Sequence, residues 1–163
     1  DSYLIKGVTC ALKDHNMQSD DLIIEITETS LLEDSAQVRQ TLNQLRANNI
    51  KIALDDFGTG YSSLTYLKNF PIDELKIDKS FVMELENDED DRAITQAVLA
   101  LAKSLKISTT AEGVENEGIL SYLQQWGCDH YQGYLLNKPA PMETLVNQLK
   151  ATPNATQTPE EDA

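Results

Sequence analysis

Five short apolar segments of this chain run out onto polar or charged side chains. Leu22–Ile26 (LIIEI) carries Glu25 and is followed by Thr27 and Glu28. Ile50–Leu54 (IKIAL) is followed by Asp55 and Asp56, and Glu74–Ile77 (ELKI) carries Lys76 and is followed by Asp78. Ile107–Ala111 (ISTTA) precedes Glu112 and Glu115, and Asp129–Gln132 (DHYQ) ends on Gln132. Carboxylates with one amide and one lysine, and no His or Cys cluster, make a hard oxygen-donor set. Such a set suits Mg2+, Mn2+ or Ca2+ rather than zinc. Adjacent carboxylates such as Asp55 and Asp56 repel each other unless cations sit between them. Two such cations a few ångströms apart can clamp the attacking and leaving oxygens of a phosphodiester displacement. A nearby lysine can hold the attacking water or offset developing charge. Polar residues after strands are ordinary, because loops are exposed. Glu25 and Lys76 are less ordinary: each has apolar neighbours on both sides, so its charge points into a shared mouth or breaks the pattern.

The segments that must position these groups alternate between two kinds. The apolar, β-prone runs above are separated by stretches with helical period over Tyr3–His15, Ser35–Ala47, Asp91–Leu105, Asn116–Gln125 and Met142–Lys150. Val38, Leu42 and Leu45 share one face of the second stretch, and Ile94, Val98, Leu101 and Leu105 share one face of the third. Alternating strands and helices imply parallel strands joined by right-handed crossovers. The count is about five βα units, whereas a closed (β/α)8 barrel has eight. The pattern therefore predicts an α/β protein, either a five-stranded open sheet or a barrel missing its first strands. In the loop DDFGTGYSS, Gly58 and Gly60 allow a tight turn behind the Asp pair, and Ser62 or Ser63 can cap the next helix. The DFG triplet is not read as a kinase feature, because no Gly-rich loop, VAIK or HRD accompanies it.

Composition narrows the function classes. The chain has 163 residues, 40% hydrophobic and 25% charged, enough for one folded domain. No stretch has the apolar length of a membrane span, and no secretory signal is visible. The first residue is Asp rather than Met, so a fragment is expected. There are 13 basic against 27 acidic residues, a formal charge of −14, and Arg39, Arg46 and Arg92 do not cluster. That excludes a basic nucleic-acid groove, so cations would have to bridge an anionic substrate to the protein. Glu84, Glu86, Asp88, Glu89, Asp90 and Asp91 read as a solvated helix entry. Residues 151–163 read as a disordered acidic tail. Cys10 and Cys128 are far apart with no CxxC, as expected for a reducing, cytoplasmic setting, and both are expected to be buried. The sequon Asn154-Ala155-Thr156 would go unused there.

The strings EITET, DDFGTGYSSLTYLKNFPIDELKIDKSFV, AEGVE and QGYLLNKP, in this order, resemble EAL-domain cyclic di-GMP phosphodiesterases. The resemblance covers Asp21 to about Lys150 and implies a TIM-type (β/α) barrel over residues 1–150, incomplete and lacking its first strands. It implies that Glu25 and Asp55 are first-metal ligands, with Asp55 shared towards a second metal, and that Asp56 is a second-metal ligand. Lys76 matches the lysine near the nucleophilic water, Glu112 the carboxylate working beside it, and Gln132 a glutamine that orders the metal and water network. Glu28 matches the glutamate that steadies the DDFG loop, and Glu115 a supporting carboxylate. The opening Glu-Ala-Leu strand, its following arginine and a metal-binding asparagine have no counterpart here.

The resemblance implies a hydrolase using Mg2+ or Mn2+ to open cyclic di-GMP to linear pGpG, impaired in this chain as it stands. It is expected to lie in the cytoplasm, as a free domain or as part of a larger membrane-anchored signalling protein. Its expected partners are cyclic di-GMP and either a second copy or the missing N-terminal part. A non-catalytic binding or protein-interaction domain is the first rival. An enolase-type barrel with a lysine base is the second, and it leaves the ordered set of strings unexplained.

Overall fold

A computed structural model of the chain describes residues 2–32, 36–58 and 64–151. The first helix, α1, spans Ser2–Asp14, and a 3-10 turn at Ser19–Asp21 leads into strand β1, Ile23–Thr27. Next come α2 (Glu28–Leu32), α3 (Ala36–Ala47), β2 (Lys51–Phe57), α4 (Leu64–Asn69), β3 (Glu74–Ile77), α5 (Lys79–Val82) and α6 (Glu89–Leu105). The chain ends through β4 (Ser108–Glu112), α7 (Glu117–Trp126), β5 (His130–Gln132) and α8 (Met142–Ala151). The strands lie side by side in sequence order, β1-β2-β3-β4-β5, and every neighbouring pair is parallel. Among the described residues β1 and β5 do not pair with each other, so the sheet is an arc of a (β/α) barrel that does not close.

The strands sit where the apolar runs predict, with shifts that matter for chemistry. β3 coincides with ELKI, β1 and β4 start and end one residue later than expected, and β2 extends through Asp55 and Asp56 to Phe57. The Asp pair and Glu112 are therefore inside strands, where the ladder holds their backbone, rather than in the loops after them. Ile52, Leu54, Leu75, Ile77, Val82, Leu85, Leu123 and Ala111 are all at or near zero exposure and form the centre of the core. Two aspartates clip strand starts together: Asp73 Oδ2 accepts from the Ile52 amide at 3.0 Å, and Asp129 Oδ2 accepts from the Thr109 amide at 2.8 Å. Those clips lie at the N-terminal ends of the strands, opposite the end that carries Glu25, Asp55 and Glu112.

The helix ends follow local chemistry. Asp88 caps α6 by accepting from the amides of Asp90 and Asp91, and Glu89, Asp90 and Asp91 fill the first turn, where the helix dipole favours negative charge. Asn116 caps α7 through the Ile119 amide at 2.8 Å. The buried stripe of α6 is Thr95, Val98, Leu99 and Ala102, while Ile94 and Leu105 are each 40% exposed. The face is thus rotated from the expected one, because Thr95 and Ala102 serve as small apolar surface against the sheet. On α3 the expected Leu42 and Leu45 are buried and Val38 packs at the edge of the core.

Cys128 is buried, and burial pushes its thiol above the ordinary range, but Cys10 is exposed on α1. The expectation that both cysteines are buried is corrected there. No helix among the described residues is long and apolar enough to cross a membrane. Ser35, Gly60, Ser62, Ser63, the sequon at Asn154 and residues 152–163 of the expected tail lie outside the described residues, and Ala151 belongs to α8.

Thr95 Oγ1 is fully buried with no hydrogen-bond partner among the described residues. A buried hydroxyl without a partner carries its desolvation cost for nothing in return. Thr95→Val should therefore leave the fold intact and raise stability by up to about 1 kcal/mol. Chemical denaturation measures this; a loss above that size would mean that the hydroxyl is bonded.

Candidate active site

Side-chain alternation puts the candidate groups on one face of the sheet. Glu25 is aligned with Ala53, and Ala53 with Glu74. Lys76, two residues beyond Glu74, is aligned with Thr110. Glu112, two beyond Thr110, is aligned with Gln132. With a period of two residues, Glu25, Glu74, Lys76, Thr110, Glu112 and Gln132 all share one face. Asp55 follows Ala53 by two and joins them, but the register slips by one residue between Leu54 and Phe57. That slip is a β-bulge centred on the Asp pair, with Asp56 in the left-handed region at φ 56°. Bulges re-aim side chains, and here the kink falls between the two aspartates. Asp55 is half-buried and Asp56 exposed.

The ammonium of Lys76 gathers carboxylates from three other strands. Its Nζ stands 3.0 Å from Glu25 Oε1 on β1, 3.0 Å from Asp55 Oδ1 on β2 and 2.7 Å from Glu112 Oε1 on β4. The Lys76 side chain is only 8% exposed, against 52% for Glu25. Burial alone would push the lysine towards neutrality, but contacts with Glu112, Asp55 and Glu25 outweigh it and hold Lys76 above the usual lysine range. With a raised value, the stabilisation that the lysine's charge contributes is present at neutral pH, where its carboxylate partners are ionised, and is lost as alkali removes its proton. At neutral pH, then, Lys76 can donate hydrogen bonds but cannot act as a base. Asp55 Oδ1 is buried, and its contact with Lys76 is an ion pair rather than an aligned hydrogen bond.

Beneath this layer Thr110 Oγ1 hydrogen-bonds Glu74 Oε1 on the same face. Sequence reasoning passed over Glu74, although its place two residues before Lys76 on one strand was a usable signal. Glu28, expected to steady the loop after β2, is 5% exposed at the start of α2. Its Oε2 accepts from the Gly58 amide at 3.4 Å, and its Oε1 is buried without a hydrogen-bond partner among the described residues. Gln132 is exposed on the shared face, with its backbone carbonyl accepting from the Val114 amide at 3.1 Å. Glu115 is exposed beyond β4, and the structure does not bring it into the cluster.

The donor chemistry fits a hard divalent ion: Glu25, Asp55 and Asp56 offer carboxylate oxygens, and Asp55 Oδ1 is buried with only an ion pair to satisfy it. Among the described residues, however, no three His, Cys, Asp or Glu side chains are disposed to hold a metal together. The close carboxylates face the ammonium instead.

The EAL domain family model matches residues 2–139. MucR of Pseudomonas aeruginosa, described as a bifunctional diguanylate cyclase/cyclic di-GMP phosphodiesterase, is 45% identical over 143 residues, which is 88% of this chain and 21% of MucR. A solved MucR phosphodiesterase in complex with c-di-GMP superposes with a TM-score of 0.83 at 45% identity, covering 88% of this chain and 58% of that one. BlrP1 of Klebsiella pneumoniae, solved with manganese and cyclic di-GMP, superposes with a TM-score of 0.75 at 33% identity, covering 85% of this chain and 34% of that one. The chain thus spans about a fifth of the length of the curated relative. With the family model matched over most of the sequence and the sheet superposing on solved members, this chain belongs to the EAL domain family.

Proposed function

We propose that this chain is part of a phosphodiesterase that opens one ester of cyclic di-GMP to give linear pGpG. The observation that carries the reading is the meeting of carboxylates from β1, β2 and β4 on the one ammonium of β3. The relatives support the substrate: MucR is named for this activity, and both solved neighbours hold the dinucleotide.

In this reading Glu25, Asp55 and Asp56 would hold the divalent ions, Mg2+ or Mn2+. A divalent ion there would polarise the phosphoryl group and lower the pKa of water. The protein's own residues do the rest. Lys76 donates from Nζ to the attacking water or to charge developing on phosphate. Glu112, 2.7 Å from that ammonium, receives the proton at a carboxylate oxygen. Gln132, on the same face, orders the water network. Glu28 keeps Gly58, and through it the Asp pair, in place, and Glu115 supports from the rim. The chain's formal charge of −14 favours bound cations as the link to a phosphodiester.

A non-catalytic, dinucleotide-binding domain is the second reading. It is favoured by the lack, among the described residues, of three grouped metal-ligating side chains. We place the protein in the cytoplasm. Its proposed partners are cyclic di-GMP and either a second copy or the further length that its relatives carry. Met142, 74% exposed, and Leu149, 76% exposed, lie with Leu145 and Val146 along one stripe of α8 and support such association.

Three outcomes follow from this reading. Lys76→Met leaves three converging carboxylates without their cation and should destabilise the metal-free chain by about 3 kcal/mol. Mn2+ should then raise the melting temperature of the variant more than that of the parent, and equal shifts would contradict the site. In a protein carrying the complete domain, Asp55→Asn should cut hydrolysis by at least about 100-fold with the fold retained, since even outer-shell losses cost 10–100-fold. Near-normal turnover with an unchanged metal requirement would remove Asp55 from its role. Residues 1–163 alone should bind Mn2+ weakly, turn over little and self-associate in light scattering. A monodisperse monomer cleaving cyclic di-GMP at the complete domain's rate would overturn that expectation.

A further inference from the structure

The four-residue helix α5 begins three residues after Lys76 and touches the chain just beyond both flanking strands. Gly58, two residues after Asp56, has φ +102°, and a Cβ built on it would stand 2.9 Å from Phe81 Cε2. Gly113, directly after Glu112, has φ +74°, and its Cβ would stand 2.7 Å from Lys79 Cβ and 3.3 Å from Met83 Cγ. Each glycine is needed twice over, for its backbone conformation and for the close approach of α5. The helix is itself firmly held. Val82 is fully buried in the core, and Asp78 caps the helix by accepting from the Ser80 amide at 2.9 Å. Phe57, just before Gly58, pairs in register with Ile77. Gly58, which follows the Asp pair, and Gly113, which follows Glu112, therefore both rest on one short element, which is continuous with the strand of Lys76.

We propose that α5 is a strut that sets the spacing of the site: Phe81 against Gly58 and Lys79 against Gly113 hold Asp55, Asp56 and Glu112 at fixed distances from Lys76. Phe81 and Lys79 are positioning residues and touch no reacting group. For Lys79 the contact runs through the Cβ and Cα, so its ammonium is dispensable to this role. The inference rests on the proposed function for its catalytic meaning, but the coupling itself belongs to the fold.

Two amides report on the two contacts. The Gly58 amide is bonded to Glu28, and the Val114 amide to the Gln132 carbonyl. Hydrogen exchange is measured on the 163-residue chain and on Phe81→Leu, Phe81→Tyr, Lys79→Gly and Lys79→Ala. Phe81→Leu should speed exchange at both Gly58 and Val114 by about tenfold or more, while Leu75 and Ile77 in β3 keep the parent's rates. Phe81→Tyr should restore slow exchange. Lys79→Gly should loosen Val114, whereas Lys79→Ala, which keeps the Cβ, should behave as the parent. Should Phe81→Leu unfold the chain, the Lys79 pair decides the matter. Unchanged exchange at both amides, a uniform rise that includes β3, or identical behaviour of Lys79→Gly and Lys79→Ala would overturn the strut. Mn2+ affinity, read by water-proton relaxation, is the second readout, and Phe81→Leu should weaken it several-fold. If the unsubstituted chain shows no Mn2+ binding, the metal reading fails, and the exchange data still decide the coupling.

Discussion

One buried ammonium organises the functional end of this sheet. A lysine side chain that is 8% exposed keeps its charge only if anions surround it, and the anions nearest to Lys76 come from three different strands. That requirement fixes relations along the whole arc. Glu25, Asp55 and Glu112 must reach one height on one face, so the register of β1, β2 and β4 around β3 cannot slip by a residue without sending a carboxylate to the opposite face. The bulge at Asp55 and Asp56 is the local departure from that register, and it leaves the buried pairing of Leu54 with Leu75 undisturbed. Below this layer, Glu74 and Thr110 satisfy each other across β3 and β4.

Much of this architecture is legible in the sequence because strands and helices obey different periods. ELKI reads correctly as a strand, and the charge at Lys76 between Leu75 and Ile77 marks it as pointing somewhere special. Glu25 gives itself away in the same manner. The extent of β2 is not legible: two consecutive aspartates oppose strand propensity, and pairing on both sides, Asp55 with Thr27 of β1 and Phe57 with Ile77 of β3, carries the strand past the kink at Asp56. The buried face of α6 is misjudged because threonine and alanine count for little in an apolar pattern, yet Thr95 and Ala102 are fully buried. Residue types identify Gln132 and Glu115 equally well as polar groups beyond a strand, and only register separates them. Gln132 lies opposite Glu112 in the ladder, whereas Glu115 has already left the sheet. Phe81 and Lys79 carry no signal in composition, since their importance comes from two glycines distant in sequence.

The opening of the arc bears on how the site works. Glu25 sits on β1, which pairs with β2 alone among the described residues, and its side chain is 52% exposed, against 23% for Asp55 and 20% for Glu112. Solvent screening therefore weakens the Glu25–Lys76 contact relative to the other two. The opposite flank shows a similar asymmetry, with Tyr134 and Leu136 exposed beyond β5. The electrostatic centre is consequently strongest at β2–β3–β4 and thins towards both edges. Additional chain or a second molecule covering the β1 side would raise the local field at Glu25 by excluding water.

In the proposed function the carboxylates around Lys76 would hold a divalent cation at the C-terminal ends of the strands. Mn2+ titrated into isotopically labelled chain gives the most direct test, because paramagnetic broadening reports nuclei close to the bound ion. The account predicts that signals from Glu25, Asp55, Asp56 and Lys76 broaden first, with those of Asp73 and Asp129 at the other end of the sheet unaffected at the same concentration. Broadening that begins at Asp73, Asp129 or the acidic entry of α6, with the Lys76 neighbourhood untouched, would contradict it.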